Sequence, residues 1–408
     1  MLPDAEPLID ILMHMIDAEP KQATSTLQAD QAPALIKFNR PFVVGTEFDN
    51  IAGAIAQGHL SADGAYSKSC ADWLEQRTGS LRALMVHSCT AALELAITLA
   101  GVEAGDEVIL PSYTFSSTAN AVVLRGAIPV FIDIRPDTLN IDETLVEAAI
   151  TDRTKAIMPV HYAGVSAEMD TISAVASERD IAIIEDAAQG VMSSYQGKPL
   201  GSIGTFGAIS FHETKNVICG EGGALLVNDS AFVERAEIIR EKGTNRSKFL
   251  RGEVDKYTWV DIGSSYAMSD LTAAFLWSQL SEGASITDRR LAIWNRYHEA
   301  FADVESAELL RRPIVPDNCV HNAHMYYIVL PTAEGRDRML GALRDIGVHS
   351  VFHYVPLHSA PAGVRYGRVH GSMSITDNYS ARLLRLPLWP GMSDDEINRV
   401  IDAVLQLV

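Results

Sequence analysis

Several side chains with chemical potential stand at the ends of apolar runs in this chain. Ile181-Ala-Ile-Ile runs into Glu185 and Asp186, with Gln189 three residues on. A carboxylate at the carboxyl end of a buried strand stands over a ligand crevice. It suits a cationic ring nitrogen, because opposite charges keep each other ionised. Gly207-Ala-Ile-Ser-Phe-His delivers Ser210 and His212, and Lys215 follows within a short turn. A lysine amine beside such a crevice forms an imine with an aldehyde once desolvation or a nearby cation frees it. Val86-His-Ser-Cys-Thr-Ala-Ala reads as a strand passing into a helix start. Unpaired N–H groups and the positive end of the helix dipole can receive a phosphate there, although N-capping by Ser88 accounts for the same residue types. Pro111-Ser-Tyr-Thr-Phe also follows a strand, and Tyr113 or Phe115 could stack on a flat ring or pack in the core. Taken singly, Lys215 reads as a solvated lysine, the usual fate of that residue type.

These residues need a frame to hold them. From about residue 80 to 230, apolar runs at 81–86, 107–110, 129–133, 156–160, 181–185, 208–211 and 224–227 alternate with helical patterns at 90–99, 117–124, 143–150 and 169–179. Continuous apolar strands separated by helices predict an α/β sheet covered on both faces. Beyond about residue 280 the pattern changes to a long helix at 286–302, strands at 326–330 and 349–353, and helices at 336–345 and 394–407. This predicts a smaller α+β domain. Residues 1–36 read as an N-terminal extension, with a short apolar helix near 7–16 and a Gln-, Ala- and Ser/Thr-rich linker over 21–33. The expected division is therefore 1–36, 37–280 and 281–408. A chain of 408 residues suits two domains of roughly 100–200 residues.

Composition narrows the chemistry. A formal net charge of −19 argues against nucleic acid and anionic membranes as partners. The four cysteines are not spaced as zinc ligands and are too few for a disulfide framework, which fits a cytoplasmic protein. No metal site is expected, since His353 and His358 flank Pro356 and cannot share a helical face. The chain has no apolar run of membrane-spanning length and no basic, apolar leader. A nicotinamide enzyme would need a glycine fingerprint in the first βαβ unit, and 85–93 has none.

Together the parts are those that pyridoxal phosphate (PLP) requires: a phosphate cradle, a ring stack, a carboxylate for the pyridinium nitrogen and a lysine for the aldehyde. The sequence also resembles the DegT/DnrJ/EryC1/StrS sugar aminotransferases, PLP enzymes of fold type I, from about Phe38 to the C-terminus. The likeness rests on Ser88-Cys-Thr-Ala-Ala-Leu, Pro111-Ser-Tyr-Thr-Phe, Glu185-Asp-Ala-Ala-Gln, Ser210-Phe-His-Glu-Thr-Lys-Asn, Gly220-Glu-Gly-Gly and Pro356-Leu-His. The runs Arg240-Glu-Lys-Gly-Thr-Asn-Arg, Lys256-Tyr-Thr-Trp and Gly263-Ser-Ser-Tyr look most like the TDP-4-amino-4,6-dideoxygalactose transaminases. Many relatives carry an Asn-Tyr-Arg run near Ser265-Tyr266-Ala267; this chain lacks that arginine.

The resemblance implies a mixed, mostly parallel sheet in a large domain, with a smaller α+β C-terminal domain. It implies a homodimer with shared active sites, PLP or its amino form (PMP) as cofactor, and TDP-4-keto-6-deoxy-D-glucose and glutamate as substrates. Lys215 would carry the cofactor as an imine and shuttle protons, and Asp186 would pair with the pyridinium. Phe115 would stack on the ring and Gln189 would lie near the ring hydroxyl. The backbone of Cys89 and Thr90, with the Ser210 hydroxyl, would hold the phosphate. His324, Tyr326 and His358 would face the sugar nucleotide. A nucleotide-sugar 3-aminotransferase and a PLP-dependent sugar dehydratase of the same family are the alternatives. The dehydratases carry histidine in place of the imine lysine.

Overall fold

The apolar runs between residues 80 and 230 become the strands of one sheet: β1 (Arg82–Val86), β2 (Glu107–Pro111), β3 (Ile128–Ile132), β4 (Thr154–Ile157), β5 (Ala182–Asp186), β6 (Phe206–Ser210) and β7 (Gly223–Val227). The structure is a computed structural model that describes residues 34–408; the helix expected near 7–16 and the linker over 21–33 lie outside the described residues. Two strands from the C-terminal part, β8 (Tyr326–Val329) and β10 (Leu383–Leu386), form an antiparallel pair of their own. Between them in sequence, the two-residue β9 (Arg368–Val369) joins the main sheet, giving the order β1-β7-β6-β5-β4-β2-β3-β9. All neighbours from β6 to β9 run parallel, while β7 is antiparallel to both β1 and β6.

Alternation along each strand serves two cores. Ala83, Met85, Ile109, Val130, Ile157, Ile183 and Ile209 face one side, and Leu84, Val86, Val108, Leu110, Phe131, Ile184 and Ala208 face the other. The first side is covered by α2 (Ala65–Thr78), α5 (Met169–Ser177) and α7 (Asp270–Ser281), with α1 (Glu47–Ala56) packed on α7. The second is covered by α3 (Cys89–Leu99), α4 (Ser116–Val123) and α6 (Ser230–Arg240). Both faces exclude water, which is why the strands are continuously apolar. Each buried aliphatic side chain stabilises the sheet by about 1.5–3 kcal/mol.

A third core gathers α8 (Gly283–Ala300), β8, β10, α9 (Ala333–Asp345) and α10 (Asp394–Leu407) around Trp294, Tyr297 and Tyr326. Ile36 enters this core and pairs with Val348. Helix α10 starts at Ser393, whose hydroxyl accepts from Glu396 N while the Glu396 carboxylate accepts from Ser393 N.

Two expectations change here. The strand read at 349–353 shrinks to a bridge at Val351, because His353 and Tyr354 turn their rings inward, stacked on each other at 3.7 Å. The edge strand β9 was not anticipated, since two residues carry no periodicity. The chain around β9 straps the C-terminal part onto the sheet. Leu357 N donates to Ser112 O, Arg368 makes two bonds to the buried Glu107 carboxylate, and Asp133 accepts from Ile375 N and Thr376 N.

Candidate active site

A cavity of about 730 Å³ opens at the carboxyl ends of β1, β5 and β6, with Val351, Tyr354 and Arg385 of the C-terminal part on its far side. Of the residues expected to work together, Cys89, Thr90, Phe115, Asp186, Gln189, Ser210, Lys215 and His324 all line it.

Asp186 ends β5 and is 5% exposed. Its Oδ2 accepts from the Thr118 hydroxyl at 2.8 Å and its Oδ1 from Ala188 N at 3.2 Å. Burial holds its carboxyl above the ordinary carboxylate range, partly offset by those two hydrogen bonds and by the charge of Lys215. Its neighbour Glu185 has the opposite fate. Glu185 is fully buried and saturated by the N–H groups of Gly201, Ile203 and Gly204 and by His161 Nε2. Successive strand residues point to opposite faces, so one carboxylate fastens a loop and the other looks into the cavity.

Lys215 sits on the loop joining the antiparallel β6 and β7. That loop is closed by Phe211 N to Gly222 O, Cys219 N to Phe211 O and Lys215 N to His212 O. Burial pulls the amine below the ordinary lysine range, against the charge of Asp186, which acts to raise it. Asn216, next in the chain, donates its Nδ2 to Asn322 O and accepts at Oδ1 from His324 Nδ1. Burial holds His324 well below the ordinary histidine range. With the proton on Nδ1, its Nε2 is left as an acceptor.

Helix α3 begins where β1 ends. Ser88 caps it by accepting from Ala91 N, and the first-turn N–H groups of Cys89 and Thr90 stand at the cavity wall. Gly223 lets β7 lie against this helix start, since a Cβ there would fall 2.6 Å from Cys89 N. In the Gly220-Glu-Gly-Gly run, Gly222 and Gly223 thus serve close packing of the chain on itself, while Gly220 supplies a left-handed turn. Phe115 is 59% exposed and lines the cavity mouth. Gln189 accepts from Ala163 N and donates Nε2 to the Tyr354 hydroxyl at 3.0 Å.

The other two residues expected on the sugar side stand elsewhere. Tyr326 is fully buried among Trp294, Tyr297 and Phe301 and belongs to the third core. His358 is held by the strap, with Nδ1 bonded to Ser112 Oγ at 2.8 Å and Nε2 facing Asp377. Proximity in sequence misled here, because His353, on the near side of Pro356, is the histidine that reaches the cavity. Tyr354, Arg290 and Arg385 also line it, and none had been singled out. The signal for Arg385 was a cation inside the apolar run Leu383-Leu-Arg-Leu. Thr118 was legible only as part of a helix.

The site fits PLP on its own terms. Asp186 is a buried carboxylate without an ion-pair partner among the described residues, an arrangement that calls for a cation, and a pyridinium N–H would supply one. Phe115 offers a largely exposed apolar ring at the cavity mouth, and the start of α3 offers N–H groups to a phosphate.

The model of the DegT/DnrJ/EryC1/StrS aminotransferase family matches residues 43–405. The chain belongs to that family. It is 35% identical over 381 residues to the spore coat polysaccharide biosynthesis protein SpsC of Bacillus subtilis, covering 91% of this chain and 97% of the relative. The crystal structure of the aminotransferase TlmJ from Streptoalloteichus hindustanus is similar with a TM-score of 0.83 and 30% identity, over 91% of this chain and 98% of that one. Spr1654 of Streptococcus pneumoniae, solved in its PMP form, matches with a TM-score of 0.81 and 27% identity, over 91% of this chain and 97% of that one. The DegT/DnrJ/EryC1/StrS protein described here is a PLP-dependent sugar aminotransferase. Among its described residues, no helix is long and apolar enough to cross a membrane.

Proposed function

We propose that this enzyme moves the amino group of L-glutamate to C4 of TDP-4-keto-6-deoxy-D-glucose. The products are 2-oxoglutarate and a TDP-4-amino-4,6-dideoxyhexose of galacto or gluco configuration. The observation that carries the aminotransferase reading is the pairing, in one cavity, of a lysine with a lowered amine pKa and a buried carboxylate without a cation. A lysine at position 215, where the related dehydratases carry histidine, favours amino transfer over dehydration. Bound PLP supplies an aldehyde and an electron-poor ring that withdraws negative charge from the carbon that loses its proton.

The chain's own residues do the rest. Lys215 takes the proton from the donor's amino-bearing carbon and returns one to the sugar carbon, helped by an amine that is neutral more readily than a solvated lysine. Asp186, fixed in orientation by Thr118 and Ala188, would accept the ring N–H of bound cofactor. Phe115 would stack on its ring. Gln189, aimed by Ala163 and Tyr354, would donate its remaining N–H to the ring hydroxyl. Cys89 and Thr90 N–H with the Ser210 hydroxyl would hold the phosphate. His324 Nε2 accepts from a sugar hydroxyl.

In this reading residues 37–280 hold the cofactor, 281–408 close the substrate side, and 1–36 are an extension. We also take the protein to be a cytoplasmic homodimer. Support comes from an exposed apolar arm carrying Phe249, Leu250, Tyr257, Trp259, Val260 and Ile262, at 40–77% exposure, a surface that a second copy would cover. The test is incubation with TDP-4-keto-6-deoxyglucose and glutamate. It should yield 2-oxoglutarate and amino sugar in equal amounts, and the H4 couplings of the product give its C4 configuration. Production of 2-oxoglutarate without an aminated sugar would overturn the assignment of this acceptor.

A further inference from the structure

A second cavity, of about 280 Å³, is lined by Trp73, Leu74 and Arg77 of α2, by the turn 190–194, by Leu200 and by Ile209 of β6. It shares no lining residue with the cofactor cavity. Strand alternation sends Ser210 to the first cavity and its neighbour Ile209 to the second. The chain likewise passes from one to the other between Gln189 and Gly190. The turn is held in place around the open space. Met192 has φ +69°, a left-handed backbone that is uncommon for a side chain of its size. Asn322 donates Nδ2 to both Gln189 O and Val191 O, and Ser193 N donates to Gly190 O.

Two polar groups of this cavity lack partners. Ser193 is 2% exposed, and its hydroxyl is buried without a hydrogen bond. An unmade buried donor costs about 1–3 kcal/mol, which alanine at that position would avoid. The exposed Arg77 makes no side-chain hydrogen bond or ion pair among the described residues. It is the single charged residue lining the cavity, in a chain with 52 acidic residues and a net charge of −19. Arg77 also stands in the last turn of α2, where a cation offsets the helix dipole. That role needs charge alone, and lysine would fill it. The remaining wall, from Trp73 and Leu74 to Leu200 and Ile209, is apolar. We infer that this cavity is a second binding site, for a small organic anion. The anionic group takes the Arg77 fork and the Ser193 hydroxyl, and an apolar body lies along Trp73 and the aliphatic wall. The volume is below the roughly 300–1,000 Å³ of sites for drug-sized ligands, which limits the ligand to a compact molecule. The inference is independent of the donor and acceptor in the proposed function.

The probe is benzoate, a carboxylate on one flat ring, titrated into the cofactor-loaded enzyme by calorimetry, with benzyl alcohol as its neutral counterpart. Benzoate should bind more tightly than benzyl alcohol and change the tryptophan fluorescence, and Trp73→Phe should remove that change. Arg77→Gln should weaken benzoate about 5- to 20-fold, the scale of charge-assisted hydrogen bonds at an exposed rim, and Arg77→Lys should recover part of the loss. Ser193→Ala should weaken benzoate about 3- to 10-fold. The ligand-free Ser193→Ala protein should melt at the same temperature or higher, because no bond within the fold is lost. Arg385→Gln, in the cofactor cavity, should leave benzoate binding as it was. Absence of benzoate binding, equal binding of benzyl alcohol, or benzoate affinity unchanged in Arg77→Gln overturns the inference. So does loss of binding in Arg385→Gln, which would place the probe in the cofactor cavity. A lower melting temperature for Ser193→Ala also overturns it, since the hydroxyl would then serve the fold.

Discussion

The sheet side and the C-terminal side of the cavity are built in opposite ways. The sheet side presents a carboxylate, Asp186, and a helix start, each carried by a rigid strand end and each short of a partner of opposite charge. The C-terminal side presents Arg385 and neutral histidines, held by loops and one short strand. Charges that would cancel if they met are kept apart across a gap of ligand size. The cost of burying them is recovered only when a ligand with both a cationic ring and anionic groups fills the space. The same contrast recurs at smaller scale between Glu185 and Asp186, where one carboxylate is saturated and structural and its neighbour is left available.

The sharpest way to break the sheet side is Lys215→Ala. It should lower kcat at least about a thousandfold, the scale of a lost general acid–base, and borohydride should no longer fix cofactor to the chain, as read by intact mass. Residual turnover within tenfold of the original would sink the assignment of Lys215.

The two neighbouring carboxylates should separate cleanly. Glu185→Ala strands three backbone N–H groups and His161, and should cost about 3–5 kcal/mol of stability in urea unfolding. Asp186→Asn should leave stability within about 1 kcal/mol and lower kcat about a hundredfold or more. The reverse pattern would mean that the roles are exchanged.

Tyr354→Phe removes the hydroxyl that accepts from Gln189 Nε2, one of the links between the two sides of the cavity. The expected loss is about 1 kcal/mol, roughly a fivefold weaker cofactor Kd by spectroscopic titration, with little change in melting temperature.

The smallest effect is one of pH. Because burial lowers the pKa of Lys215, capture of PLP by cofactor-free protein should accelerate with pH and level off below the ordinary lysine value of 10.5. The sign for stability is also set. The unfolded lysine binds its proton at higher pH than the folded one. The cofactor-free protein therefore loses stability as pH falls from the ordinary value to the lowered one, and the penalty stays in full below it. Lys215→Met should remove that slope in pH-dependent unfolding.

The large sheet was legible because its strands are buried on both faces and so read as continuous apolar runs, such as 182–186 and 206–210. The site residues on that side were legible for the same reason. A strand end followed by Asp186, or by Ser210 and Lys215, is a local pattern. The C-terminal side was less so, since apart from His324 and the cation at Arg385 its contributions come from residues whose neighbours in sequence give no hint of their direction. Tyr326 and Tyr327 are adjacent on β8, yet the first lies in the third core and the second packs with Tyr162. His353 and His358 sit five residues apart, and the strap to Ser112, Glu107 and Asp133 decides which one faces the cavity.

By itself, then, the sequence determined the α/β sheet and the ends of its strands, and it offered Glu185, Asp186 and Lys215 at those ends as candidates, because each follows from burial pattern and residue type over a few positions. Only the tertiary structure decided which carboxylate of the Glu185–Asp186 pair stays available and which aromatic and basic side chains close the far side. Those outcomes depend on loops, bonds and packing between segments from 16 residues apart, as for Glu185 and Gly201, to 261 apart, as for Glu107 and Arg368.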